Sequence, residues 1–394
     1  MTPHTGYLRL APIVFASTMM VACTDPPTRA LSPTSAQLDA VKFWEVNATT
    51  RWNERASTLL GQRPPANGQA AASRILTYLS IAQYRAALAA ESGKERSVHP
   101  SVSAAVGGAS AAVLSAFFAL DVAAIEALLD ADLARPGWPG EKHQNAAAGE
   151  AIGRAVGAAV LAQAATDNYL VVPTGAPLVG PGFWVSANAP IVRSLHGVRP
   201  FFLSSPSQLR PPPPPAFGSP EFLAGLAEVR AISNTRTAEQ LAIAMYWNTG
   251  AGPFTAASLN VSADALIRAH HRTELESARI LAYANAAAFD AQIACWDAKL
   301  TYWFVRPSQA DPAITLPIGL PNHPSYPSGH SCITSAMMTV LADALPSERE
   351  RLEAIIAEAG MSRVYGGIHY RFDVEAGQEI GRGAAALALA GSLE

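Results

Sequence analysis

Apolar residues recur along most of this chain at the i, i+3, i+4 and i+7 spacing of one helix face, and no segment of any length alternates with the period of a strand. The pattern predicts an opening helix over 33–62, anchored by Trp44, Val46, Trp52 and Leu59, then Ala-rich helices at about 66–92, 101–134 and 144–165. Helical patterning resumes at about 219–233, 237–249, 258–304, 329–345, 348–360 and 373–391. The fold class is therefore all-α, a helical bundle. His99 to Leu120 is uncharged and long enough to span a bilayer. Its Ala, Ser and Gly gain little from lipid, so it is expected to be a buried helix instead.

Between the two helical blocks the pattern fails. Pro173, Pro177, Pro181, Pro190, Pro200, Pro206 and the run Pro211 to Pro215 forbid regular helix across a long connection. The chain thus divides into a helical N-terminal region, 33–165, a Pro-rich connection, 166–218, and a second helical region, 219–394. The Pro run reads as a rigid spacer.

Composition narrows the function classes. Among 394 residues, 28 Lys and Arg face 31 Asp and Glu, a net charge of -3, which gives no general attraction to nucleic acid or anionic lipid. Any anion must be held locally. The N-terminus has the form of an export signal: Arg9 is followed by a short apolar stretch, Leu10 to Ala22, ahead of Cys23. Met20-Val21-Ala22-Cys23 resembles a bacterial lipobox, which implies residues 1–22 as signal peptide and a lipidated Cys23. The expected location is periplasmic or anchored to the outer membrane, with simple secretion as the alternative. Only Cys295 and Cys332 remain, so no disulfide framework is indicated. Lateral packing of the Ala-rich helices is compatible with a homodimer.

The candidate chemistry lies within 75 residues near the C-terminus. Lys299 and Arg306 are seven residues apart, which places both on one face if the 258–304 helix persists to Pro307. Pro327-Ser328-Gly329-His330 opens an apolar helix, where free amides, a hydroxyl and the helix dipole favour an anion. His330 stands at that mouth as an acid-base group. Arg363 offers a planar fork for two oxygens, and Tyr365-Gly366-Gly367 brings His369 back beside it. Four residues on, Asp373 can accept one imidazole N–H and fix the tautomer, leaving the other nitrogen for the ligand.

Lys-x6-Arg-Pro, Pro-Ser-Gly-His and Ser-Arg-x5-His-x3-Asp, in that order, resemble the signature of the superfamily that unites type 2 phosphatidic acid phosphatases (PAP2), bacterial class A acid phosphatases and vanadium-dependent haloperoxidases. The resemblance implies a PAP2/haloperoxidase-like catalytic region over 219–394, with Lys299, Arg306 and Arg363 neutralising an oxyanion and Ser328 and the Gly329 amide donating to it. His330 would be the acid-base group. His369 would attack phosphorus or bond axially to vanadium, and Asp373 would hold it. His323 falls where bromide-oxidising haloperoxidases carry a second active-site histidine. Two chemistries remain open. One is vanadate-dependent oxidation of halide, bromide first, by hydrogen peroxide. The other is hydrolysis of a phosphomonoester, which needs no cofactor. A non-catalytic anion-binding protein is a third reading, but it would not require His330.

Overall fold

A computed structural model describes residues 47–66, 68–93, 99–134, 145–169, 171, 177–186, 195, 197–250 and 255–393. The signal segment, Cys23, Trp44 and Val46 lie outside them. Thirteen α-helices form among the described residues, and no strand does. In chain order they are α1 Ala48–Gln62, α2 Gly68–Gly93, α3 Val102–Phe117, α4 Val122–Leu133, α5 Ala146–Ala164, α6 Pro220–Thr235 and α7 Ala238–Met245. They continue as α8 Thr255–Ala269, α9 Glu274–Tyr302, α10 Pro307–Ala310, α11 Gly329–Ala344, α12 Arg349–Tyr365 and α13 Arg371–Ala390. A π-turn, Tyr246–Gly250, extends α7.

Two expected long helices are each divided. The 101–134 segment breaks between α3 and α4, and the 258–304 segment breaks between α8 and α9. At the second break His271 takes a φ of 51°, and Thr273 with Glu276 forms a capping box that restarts the helix. Helix α9 then stops early, because Trp303 adopts a left-handed φ of 48°. Lys299 and Arg306 therefore do not share a helix face, contrary to expectation. No described helix is long and apolar enough to cross a membrane, and α3, from the tested 99–120 stretch, is buried.

Helix α9 is the axis of the molecule. It is buried on nearly every side. Helix α2 packs on it from the N-terminal half, and α11 and α13 pack from the C-terminal half. One hydrophobic core runs from Ala48 to Leu393. Two glycines let α13 close on α11: a Cβ at Gly377 would lie 2.6 Å from the Ser328 carbonyl oxygen, and one at Gly381 2.6 Å from that of Cys332. This contact sets Ser328 against Asp373.

The Pro-rich connection is strapped onto the same axis. Buried Asp290 of α9 accepts from the amides of Phe201, Phe202 and Leu203 at 2.8, 2.7 and 3.1 Å. Tyr302 and Tyr326 donate their hydroxyls to the carbonyls of Pro211 and Pro212 at 2.6 and 2.8 Å. The Pro run is held in place at its start rather than left as a free spacer.

Candidate active site

Lys299 reaches the site from the last turn of α9. Its ammonium is 1% exposed and donates to three carbonyls, Pro324 and Ser325 at 2.8 Å each and Pro327 at 2.5 Å. It thereby draws the 324–327 loop under α11. Arg306 arrives by another route. The Trp184 amide donates to the Trp303 carbonyl at 2.8 Å, and the Val305 amide donates to that of Gly182 at 3.0 Å. This pinned strip presents Arg306 in extended backbone ahead of Pro307, as a residue before proline prefers.

Ser328 is the N-cap of α11, and its hydroxyl oxygen accepts from the Ser331 amide at 3.4 Å. The hydroxyl hydrogen is left for another partner. Gly329 and His330 begin the helix, so their amides have no carbonyl within it. A Cβ built on Gly329 would meet nothing within 4 Å, and this residue lines a cavity.

Asp373, in the first turn of α13, organises the imidazole. Its Oδ2 accepts from His369 Nδ1 at 2.7 Å, from the Ser325 hydroxyl at 2.6 Å and from the Tyr370 amide at 3.2 Å. The Arg306 guanidinium donates to His369 Nε2 at 3.0 Å. A guanidinium can only donate, so His369 carries its proton on Nδ1 and is neutral. The His369–Asp373 contact is a hydrogen bond rather than an ion pair. Burial, then Arg306 and Lys299, hold His369 well below the usual imidazole range, while burial pushes Asp373 up to about 6 against its Ser325 bond and the two cations.

Arg363 lies in the last turn of α12, donating to the Ser362 hydroxyl at 2.9 Å and to the Ala244 carbonyl at 3.1 Å. His330 Nε2 lies 3.1 Å from the Trp247 carbonyl and 3.0 Å from the Thr255 hydroxyl. Burial and the charge of Arg363 lower His330 to about 3, and the field of Arg363 also reaches His369. His323 is no free loop residue. Its Nδ1 accepts from Arg306 at 3.0 Å, which makes the Pro324 carbonyl at 3.1 Å a non-bonded neighbour, and its ring meets Trp296 edge-on at 5.0 Å.

Most of the sequence-predicted residues border one space, while Arg363 bonds to Ser362 and Ala244 and reaches His330 and His369 through its charge. Lys299, His323, Gly329, His330 and His369 line one cavity of about 320 Å³, with Arg306 behind His323 and His369.

The protein comparisons match this arrangement. Residues 277–392, which contain every one of these groups, match the PAP2 superfamily.

The match covers 116 of the 394 residues, under a third of the chain.

Over 57 residues, 14% of its length, the chain is 40% identical to the non-specific acid phosphatases of Salmonella typhi and Salmonella typhimurium. The match spans 23% of the length of those curated relatives. Among solved structures, a bacterial vanadium-dependent iodoperoxidase has a similar fold, with a TM-score of 0.70, 23% identity, and coverage of 91% of this chain and 97% of its own. A bacterial vanadium-dependent chloroperoxidase in its holo form gives a TM-score of 0.64 at 17% identity, covering 84% of this chain and 94% of its own.

The donor set of the site fits a tetrahedral oxyanion such as vanadate or phosphate. Arg306 is 0% and Arg363 1% exposed, and burial lowers Lys299, Arg306 and Arg363 to about 8, 10 and 9. Asp373 is the carboxylate hydrogen-bonded within this cluster, so most of the buried positive charge lacks a counter-ion there, an arrangement that costs several kcal/mol until an anion supplies it.

Five contributors escaped the sequence reading. Ser325 fixes Asp373, Thr255 and the Trp247 carbonyl hold His330, and Gln292 and Trp296 line the cavity. Gln292 and Trp296 precede Lys299 by seven and three residues, a helical spacing that could have disclosed them. Nothing local marks Thr255 or Trp247.

Proposed function

We propose that this protein is a vanadate-dependent haloperoxidase, exported, that oxidises halide with hydrogen peroxide. The reading rests on one observation: buried cations and neutral imidazoles converge on a cavity, inside a fold shared with haloperoxidases over nearly the whole chain rather than over the PAP2 segment alone. Residues 219–394 would form the catalytic region, 33–165 its second wall and 166–218 the connection. Vanadate, when bound, supplies a Lewis-acidic centre that activates peroxide toward halide.

The residues of the chain do the rest. Lys299, Arg306 and Arg363 neutralise the oxyanion, while the Ser328 hydroxyl and the Gly329 amide donate to its oxygens. His369 Nε2 is the atom to hold vanadium, and Asp373 keeps the proton on Nδ1. His323 keeps Arg306 in place. His330 moves the proton: a multiply charged anion beside it raises an imidazole that burial and Arg363 otherwise hold near 3. Proton transfer thus becomes available only with the anion in place. Overall, hydrogen peroxide, halide and one proton give hypohalous acid and water.

Phosphomonoester hydrolysis is the second reading, favoured by the 40% identity to acid phosphatases. There His369 would attack phosphorus and His330 would protonate the leaving group. Assays of the purified protein separate the two. Peroxide- and bromide-dependent bromination that requires vanadate supports the first reading, whereas turnover of a chromogenic phosphomonoester alone replaces it with the second. Lipidation at Cys23, which would anchor the protein to a membrane, is checked by the intact mass of the protein recovered from membranes.

A further inference from the structure

The cavity is larger than an oxyanion, peroxide and halide require. It runs from His369 and Gly329 to Gly68, Gln69 and Ala70 at the start of α2, a volume of about 320 Å³. A cavity of about 150 Å³ suffices to hold a benzene ring. Much of its wall is apolar, formed by Trp296, Ile333, Ile368, Pro321 and Ala70.

Gln292 interrupts that wall. It is 3% exposed, its Oε1 is buried without a hydrogen bond, and no described residue pairs with its Nε2. A buried amide left unpaired costs free energy that a hydrogen-bonding ligand would return. On α9, Gln292 lies four residues before Trp296 and seven before Lys299, so one helix face carries amide, indole and cation in turn.

We propose that Gln292 and Trp296 form a subsite for a small hydroxylated aromatic compound, a phenol, held beside the oxyanion. The flat ring matches the indole and the aliphatic wall. Its hydroxyl oxygen can accept from the Gln292 Nε2 amide. This rests on the peroxidase reading for its consequence: the phenol is halogenated inside the cavity. Halide is oxidised by two electrons and replaces a ring hydrogen, while hydrogen peroxide is reduced to two waters. One C–H bond breaks and one C–halogen bond forms. The ring proton and one solvent proton join the two from peroxide in those waters.

The test starts with phenol titrated into the protein without vanadate, halide or peroxide, followed by saturation-transfer NMR. Saturable binding is expected, and Gln292→Leu should weaken it about tenfold. In turnover with vanadate, bromide and peroxide, the same variant should raise the KM for phenol about tenfold with kcat within about twofold. Because leucine removes an unpaired amide, the variant should melt at or above the wild-type temperature; a drop of several degrees would assign Gln292 to internal structure and overturn the subsite. So would absent phenol binding, or equal binding by both proteins, even if bromide is oxidised. Phenol binding that depends on Gln292, without any bromide oxidation, leaves the subsite standing and overturns the peroxidase reading.

Discussion

Arg306 donates to Nε2 of His369 at 3.0 Å, the same nitrogen that the proposed chemistry requires as a ligand or nucleophile. The guanidinium therefore competes with the oxyanion for the His369 lone pair. An arriving anion offers Arg306 charged oxygens in exchange, so a bond to a neutral ring is replaced by bonds in which donor and acceptor are both ionised. Anion binding and release of His369 are one event.

The tautomer of His369 depends on Asp373. In Asp373→Asn the carboxylate acceptor is lost, the proton can settle on Nε2, and that nitrogen then faces the Arg306 donor. We expect kcat to fall about 100-fold or more, since wrong-tautomer variants of other imidazole enzymes lose up to about 10⁴-fold. Steady-state kinetics with a circular dichroism check of folding tests this; near-normal kcat would remove Asp373 from the positioning role.

His330 should couple anion binding to proton uptake. Its folded, anion-free value is about 3, lowered chiefly by burial and by Arg363. A bound dianion raises it, so the complex holds more protons than the free protein, and affinity must rise as pH falls. Sulfate keeps a constant charge in this window. Its Kd should tighten from pH 7 to pH 5, by up to about tenfold per unit for one proton taken up. In His330→Asn the slope should flatten and turnover should be lost, while sulfate still binds. Calorimetry at several pH values decides; an unchanged slope would rule out His330 as the group that titrates.

Ser325 supports the site through Asp373. Ser325→Ala removes the 2.6 Å bond to a carboxylate whose Oδ1 is already buried and unpaired. Unfolding in urea should show a loss of about 1–3 kcal/mol. Turnover should fall with little change in the KM for peroxide.

Gly377 keeps α13 against α11. In Gly377→Ala the new methyl would sit 2.6 Å from the Ser328 carbonyl oxygen and 2.8 Å from Ser331 Cβ. Overpacking of this kind costs about 1–3 kcal/mol, and here the helices must separate between Ser328 and Asp373. Both stability and sulfate affinity should drop, whereas an affinity equal to wild type would show that this contact does not set the site.

Much of the site could be read from the chain because its chemistry depends on residue type. Two arginines, a lysine, paired imidazoles and a helix opening at Ser328 disclosed an anion receptor, and helical periodicity disclosed the all-α class. The reason given for joining Lys299 to Arg306 did not hold. The left-handed turn at Trp303 ends α9 between them, and Gly182 and Trp184, from the Pro-rich connection, carry Arg306 in by another path.

What the sequence alone determined was the inventory of charges and the helices that carry most of them, because both follow from residue type and from spacing within a few turns. Which nitrogen of His369 bears the proton, that His323 braces Arg306, and that Gln292 and Thr255 border the cavity were decided by tertiary structure. Those facts depend on contacts between residues tens to hundreds apart in the chain, and on burial that removes water as the competing partner for each charge.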